Sequence, residues 1–443
     1  MDRHVTRRIL HGLGANAYGQ LVVIVIQLAG VPILLHAWGT QLYGEWLILA
    51  AIPTYLSMAD LGFSQSAGND MTARMARGDA AGTLAVFQSL SVLVYGVAIA
   101  GLLLSALALW LLPLQNWFQF GQLSTVEVRW IFWLLAAEVF MKLADGVNHA
   151  GFRANGDYAL HVSIGSTTTL LQMALVWSLA LVGHGPLAAA VALVAVRAVQ
   201  TPLMAMLLQY RHRNLHFSLA HFRLGGLRPL LKPALANLAM PVATALNMQG
   251  MVLVIGAALG PPAVVTFTVL RTLTGLVRQS CANISYAFEP EFAAIHGMLD
   301  RRRLSHMFGR MLVLQSVVVS IGVVVLLVGG DWIVKVWTHG MVQVDKALLY
   351  WLLLSAVSSM LWHSGITLLK AANAHVKAAL WYAFSAVITV AIASLALRLT
   401  EQLDLAGLAY VIGDLLISVY IIYALHTMLC RHGNSQAPMR AQV

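Results

Sequence analysis

Apolar residues arrive in runs of about 20, the length at which a helix crosses the hydrocarbon core of a bilayer. The runs fall near 13–36, 43–64, 86–112, 128–149, 159–182 and 187–210, then near 231–256, 262–283, 308–328, 347–369, 378–398 and 407–429. The longest outer break between them, 329–346 (GGDWIVKVWTHGMVQVDK), has room for a surface turn and none for a catalytic domain. The pattern predicts an all-α, polytopic membrane protein of twelve transmembrane helices.

The second six runs follow the first in step. Gly39 and Gly260, Asp79 and Asp300, Phe87 and Phe308, and Leu187 and Leu408 are each separated by 221 residues. A tight outer turn recurs (WGTQLYG, LGPPAVV), as does an inner loop ending in Asp (ARMARGD, AIHGMLD). Six is an even number of crossings, so the two halves share one orientation and are related by an axis along the membrane normal. The expected organisation is an N-terminal bundle (1–210), a basic linker (211–230) and a C-terminal bundle (231–443). Two parallel six-helix bundles around a central cleft make a transporter architecture.

Composition and charge narrow this further. The chain is 59% hydrophobic and 10% charged, against about 25% charged in a soluble domain. Its net charge of +10 is unevenly placed. Nineteen of the 27 lysines and arginines lie on the side of the N-terminus, while Arg129, Lys335, Lys346 and Arg398 lie opposite. The positive-inside rule then puts both termini in the cytoplasm, and anionic lipid rather than nucleic acid accounts for the basic surface. The opening MDRHVTRRILHG and the run behind it are read as a retained first helix, because the topology needs it. Cys281 and Cys430 form neither a metal motif nor a disulfide framework. His212 and His216 have ligand spacing on a helix but no third ligand, and no metal or other cofactor is expected.

The remaining basic residues lie inside helices, where a charge is costly unless it meets a partner or a water-filled space. Arg271 and Arg278 are two turns apart on one face of the eighth run. Arg271 is too deep to reach either surface; it contacts an anionic cargo or forms an ion pair with Asp414 or Glu138. Arg278 lies nearer the cytoplasmic end, where it is able to snorkel. Arg197, at similar depth in the sixth run, is a second cargo contact or a tie between helices. In the fourth run Glu138, Lys142 and Asp145 share a face. They neutralise one another, or Lys142 touches cargo while an acid takes up a coupling proton. His363 matches Lys142 in the repeat and is a further coupling or gate candidate, as are Asp60 and Asp414. Prolines 32, 53, 202 and 241 interrupt helices, and Pro241 lies near Asn237, Asn247 and Gln249. Kinks there serve packing or let a bundle rock.

The run from Asn16 through Leu34, Leu35, Gly39, Tyr43, Gly44 and Trp46, then Asp60-Leu61-Gly62, Asn69 and Gly78-Asp79, resembles the opening of Wzx-type flippases. These are the polysaccharide transporters of the multidrug/oligosaccharidyl-lipid/polysaccharide superfamily. Asn155-Gly156-Asp157 and Ala372-Asn373-Ala374 resemble internal-loop signatures of the same family. The resemblance implies a bacterial inner-membrane flippase. It would carry an undecaprenyl-diphosphate-linked oligosaccharide to the periplasmic face, alongside membrane lipid and a polysaccharide polymerase or other assembly proteins. The sequence departs from the related lipid II flippases, which have extra helices and cationic residues in helices one and two.

Arg271, Arg278, Lys142 and Arg197 are thus the candidate cargo contacts, and the fork of an arginine suits phosphate oxygens. The competing expectation is a multidrug or organic-cation antiporter of the same superfamily, whose site would be acidic and aromatic. No Walker loop, paired catalytic carboxylates or nucleophile–base motif points to an enzyme.

Overall fold

The computed structural model describes residues 3–59, 62–111, 117–220, 222, 224–297, 301–372 and 374–430. Thirteen helices are described: α1 (Arg3–Leu56), α2 (Phe63–Ala76), α3 (Ala80–Leu111), α4 (Thr125–Ala154), α5 (Tyr158–Leu181), α6 (Pro186–Arg211) and α7 (Leu224–Ala245). They continue as α8 (Met251–Leu259), α9 (Pro261–Gly297), α10 (Arg301–Trp337), α11 (Lys346–Ala371), α12 (Val376–Thr400) and α13 (Asp404–Cys430). Among the described residues nine helical segments are long and apolar enough to span a bilayer. One of them, Leu10–Leu56, holds the first two predicted runs. The predicted runs in α4 and α9 are missing from the nine. These two helices carry Glu138, Lys142 and Asp145, and Arg271 and Arg278, so their intramembrane charges are the reason for their lower hydropathy.

The repeat is visible in the backbone. Gly39 breaks α1 at φ 69°, ψ 178°, and its counterpart Gly260 sits between α8 and α9 at φ 82°, ψ 178°. A side chain at either position would be strained. Nearby, a Cβ on Gly44 would clash with the Pro261 carbonyl oxygen, so glycine is what lets these two turns approach.

Two boundaries differ from expectation. The second predicted run, 43–64, ends as a helix at Leu56, and a separate short helix starts at Phe63 behind Gly62, which has φ 76°. Asp60 lies outside the described residues. The seventh run is not a continuous α-helix, because a π-turn at Leu246–Gly250 follows Pro241 and separates α7 from α8. The start of the expected linker, residues 211–217, packs on the first unit. Arg211 and His212 both reach Asp157 at 3.0 Å, Asn214 reaches Asn155, and the Phe217 ring packs 5.1 Å from Phe87. Leu215 is fully buried.

By contact the chain forms two compact units, Met1–Val265 and Thr266–Val443, with the boundary inside α9. The first unit contains a core of Met71, Phe87, Leu90, Phe140, Val147, Phe152, Met204 and Leu208. The second contains a core of Phe292, Ile295, Leu304, Met311 and Leu368. Several helix surfaces away from these cores are apolar. On α3, Ile99, Leu103, Leu107 and Leu111 are all exposed at four-residue spacing, as a lipid-facing stripe requires. At the loop between α2 and α3, Asp79 accepts from the Gly82 N–H and from Arg74. These two donors hold its carboxyl below the usual range.

The loop between α3 and α4 is fastened by one buried carboxylate that the sequence pattern did not single out. Glu45 on α1 is fully buried. It accepts from the backbone N–H groups of Gly121 (2.7 Å), Gln122 (2.9 Å) and Leu123 (3.0 Å), and from Gln41 Nε2 (2.8 Å). Replacing Glu45 by alanine leaves these donors without their acceptor, at a cost of roughly 3 kcal/mol. The thermal unfolding midpoint of Glu45→Ala in detergent should fall clearly, and that of Glu45→Gln by less; an unchanged midpoint for alanine would show that the loop does not depend on this carboxylate.

Candidate functional site

Each compact unit holds one cluster of intramembrane charge. In the first unit, Arg197 on α6 is buried and all three arms of its guanidinium are used. Nε donates to Glu138 Oε1 on α4 at 3.0 Å, Nη2 to Gln172 Oε1 on α5 at 3.0 Å, and Nη1 to Gln200 Oε1 on its own helix. Three helices therefore meet on one cation. Two turns further along α4, Asp145 accepts from Asn148 Nδ2 at 2.9 Å, and its other oxygen lies 3.4 Å from His161 Nε2 on α5. Asn148 also reaches the Thr201 carbonyl on α6. The His149 ring packs edge-on against His161, 4.9 Å between centroids.

Lys142 is excluded from both networks. The expected mutual neutralisation of Glu138, Lys142 and Asp145 does not occur. Glu138 and Asp145 both turn to partners on other helices, because a buried arginine and a buried histidine offer them shorter reach in drier surroundings. Lys142 makes no ion pair or side-chain hydrogen bond among the described residues, and it is the one exposed residue of α4 between Ile131 and Ala154. The partly exposed Glu138, Gly146, His149 and Arg153 extend the same stripe. A stripe of this polarity faces water rather than acyl chains, because a bare charge against lipid is too costly.

In the second unit, Arg278 on α9 turns inward to Asp414 on α13 instead of snorkelling to a helix end. Its Nη2 donates to both Asp414 oxygens at 3.1 and 3.3 Å, and Nη1 donates to Ser355 Oγ on α11 at 3.2 Å. Asp414 is buried and also accepts from Ser355 Oγ at 2.6 Å and Trp362 Nε1 at 2.9 Å. His363 follows with its ring 4.7 Å from Trp362 and is partly exposed.

Arg271 lies two turns away on the same helix. Its guanidinium is 5.1 Å from the Phe267 ring centroid, and Phe267 stacks at 6.1 Å on Tyr410. Tyr410 in turn lies under Arg278, 5.9 Å from Cζ to ring. The aromatic pair thus links the two arginines, and Asp414 belongs to Arg278, not to Arg271. Arg271, Gly275, Gln279, Asn283 and Tyr286 form a partly or fully exposed polar stripe along α9. The participants not chosen from sequence (Gln172, Gln200, Asn148, His161, Ser355, Trp362 and Tyr410) are uncharged or weakly basic. Only their position inside apolar runs distinguished them.

No protein-family model matches the sequence, and no curated protein matches it. Solved structures do. One described as the inward-facing conformation of a multidrug resistance MATE family transporter of the MOP superfamily aligns over 96% of this chain and 100% of its own, with TM-score 0.76 and 15% identity. The fold is that of MATE transporters. A structure of MATE in the bent conformation (TM-score 0.56, 17% identity) covers 97% of this chain and 95% of its own. An outward-facing multidrug resistance MATE transporter (TM-score 0.57, 16% identity) covers 96% of this chain and 94% of its own. The architecture expected from the apolar runs is therefore a fold that solved MATE transporters share.

The pairing makes a prediction. Arg278→Ala leaves Asp414 buried against Ser355 and Trp362, and Asp414→Ala strands the guanidinium; each single change should cost about 3 kcal/mol. The double variant should lose clearly less than the sum, as read by thermal unfolding in detergent. Strict additivity would mean that the pair does not couple. Lys142→Ala, in contrast, should unfold at the wild-type temperature.

Proposed function

We propose that the protein is an exporter of the multidrug/oligosaccharidyl-lipid/polysaccharide superfamily, working by alternating access, whose cargo is an amphiphile carrying negative charge. The observation behind the charge is the state of the carboxylates. Glu138, Asp145 and Asp414 each already have a cationic or histidine partner. Lys142 stands exposed without one among the described residues. A site for organic cations needs available carboxylates and aromatic rings; a site for phosphate or acidic sugar needs available cations. Arg271 and Lys142 are the cargo contacts in this reading. Arg278 holds Asp414 and positions α9, and Arg197 ties three helices together. The finer form of the proposal is a flippase for an undecaprenyl-diphosphate-linked oligosaccharide in the bacterial inner membrane, with both termini cytoplasmic and a polysaccharide polymerase among its partners.

The second reading, a multidrug antiporter, has its own support. The solved structures with this fold are described as multidrug resistance transporters, and they agree better with drug export than with lipid-linked sugar transport. At 15–16% identity that agreement concerns the fold, and the sign of the exposed charge points to the other cargo.

Proteoliposomes distinguish the two readings. The flippase reading predicts translocation of a diphosphate-linked oligosaccharide lipid that falls roughly tenfold or more in Arg271→Ala and in Lys142→Ala, each removing one charge-assisted contact. Both variants should remain folded in the membrane. Transport of an organic cation in exchange for protons or sodium, indifferent to both substitutions, would overturn it.

A further inference from the structure

The beginning of α10 carries a cationic cavity that neither the fold nor the proposed cargo path uses. Arg302, Arg303, His306, Met307 and Arg310 line a space of about 390 Å³. Arg302, His306 and Arg310 recur at four-residue spacing, so they stand on one side of the helix. The opposite side, with Leu304 and Met311, is buried in the core of the second unit. Arg302 and Arg310 are exposed, and neither makes an ion pair among the described residues.

The depth of this cavity follows from the helix itself. Between Arg310 and Asp331 lie twenty residues, 311–330, without a charge. At 1.5 Å per residue they span about 30 Å, the thickness of the hydrocarbon core. Arg310 therefore marks the edge of the acyl region, and the Arg302–Arg310 stretch, about 12 Å long, rises through the headgroup layer. Below Arg310 the exposed side continues as Val313, Leu314, Val317, Ile321, Val324 and Val328. A cationic cup at phosphate depth thus stands at the head of an apolar track that enters the acyl region.

We propose that this cup and track bind an anionic phospholipid, with the phosphate among Arg302, Arg303 and Arg310 and an acyl chain along Val313, Val317 and Ile321. The three guanidinium groups supply the forked donors that phosphate oxygens accept. The track explains why a lipid, rather than a free phosphate, is the ligand. This site is separate from the cargo contacts at Lys142 and Arg271, and it stands whichever cargo the protein carries.

The test uses the full chain in nanodiscs of phosphatidylcholine containing a small fraction of photoactivatable phosphatidylglycerol. After illumination, the cross-linked peptides are mapped. The proposal predicts labelling concentrated on the peptide covering Arg301 to Val325. In Arg302→Gln/Arg303→Gln/Arg310→Gln, labelling there should fall roughly a hundredfold, since each basic residue at the surface contributes several-fold to anionic-lipid attraction. The matching triple lysine variant should keep most of it, and Arg77→Gln in the first unit should change nothing. If the glutamine variant does not fold, wild-type labelling still decides. Label spread evenly over the protein's basic ends would overturn the site. So would equal labelling by photoactivatable phosphatidylcholine, or loss of labelling in millimolar inorganic phosphate, which would identify a free anion as the ligand.

Discussion

A carboxylate inside a bilayer must find a cation or a set of donors, since leaving it bare costs more than most single interactions can return. The described helices contain four such groups, Glu45, Glu138, Asp145 and Asp414, and the rest of the structure is arranged to serve them. Glu45 collects three backbone N–H groups and so shapes the loop between α3 and α4. Glu138 takes Arg197, which also holds Gln172 and so draws α4, α5 and α6 together. Asp414 takes Arg278, a serine and a tryptophan, drawing α9, α11 and α13 together. In each unit a buried ion pair stands where a soluble protein would place another leucine. Such a pair adds less stability than well-packed apolar side chains would, but it punishes any arrangement that separates the partners.

The same constraint decides what is left for a ligand. Once the acids are satisfied, the charge that remains exposed on α4 between Ile131 and Ala154 is Lys142. On α9, Arg271 sits on an exposed polar stripe beside an aromatic pair. The proposed cargo is therefore anionic, although the fold is one that solved multidrug transporters share. Fold and cargo are separate questions here, and the charge speaks to the second.

Much of the architecture could be read from the sequence, because its causes are local. Twenty-residue apolar runs, the 221-residue repeat and its two glycines depend on neighbours along the chain, and Gly39 and Gly260 do share one unusual backbone conformation. What could not be read was pairing over distance. Spacing alone put Lys142 between two acids, yet Glu138 chose a residue 59 positions away and Arg278 one 136 positions away. Choice among partners depends on which side of each helix faces the interior, and helices with apolar residues all round hide that. The end of the second helix was misplaced for a related reason. Its apolar run continues past Leu56, and only the left-handed Gly62, set 2.7 Å from Ala234 by the position a Cβ would take, requires the chain to turn.

An anionic cargo requires Lys142 to face water on a surface of positive charge. The most direct measurement is the reaction of Lys142→Cys, in intact membranes and on the background Cys281→Ser/Cys430→Ser, with membrane-impermeant thiosulfonate reagents of opposite charge. The account predicts that the anionic sulfonate reagent modifies this cysteine, and faster than the cationic ammonium reagent after correction for their intrinsic rates. A cysteine that neither reagent reaches would place α4 against lipid, and faster modification by the cation would reverse the sign on which the proposed cargo depends.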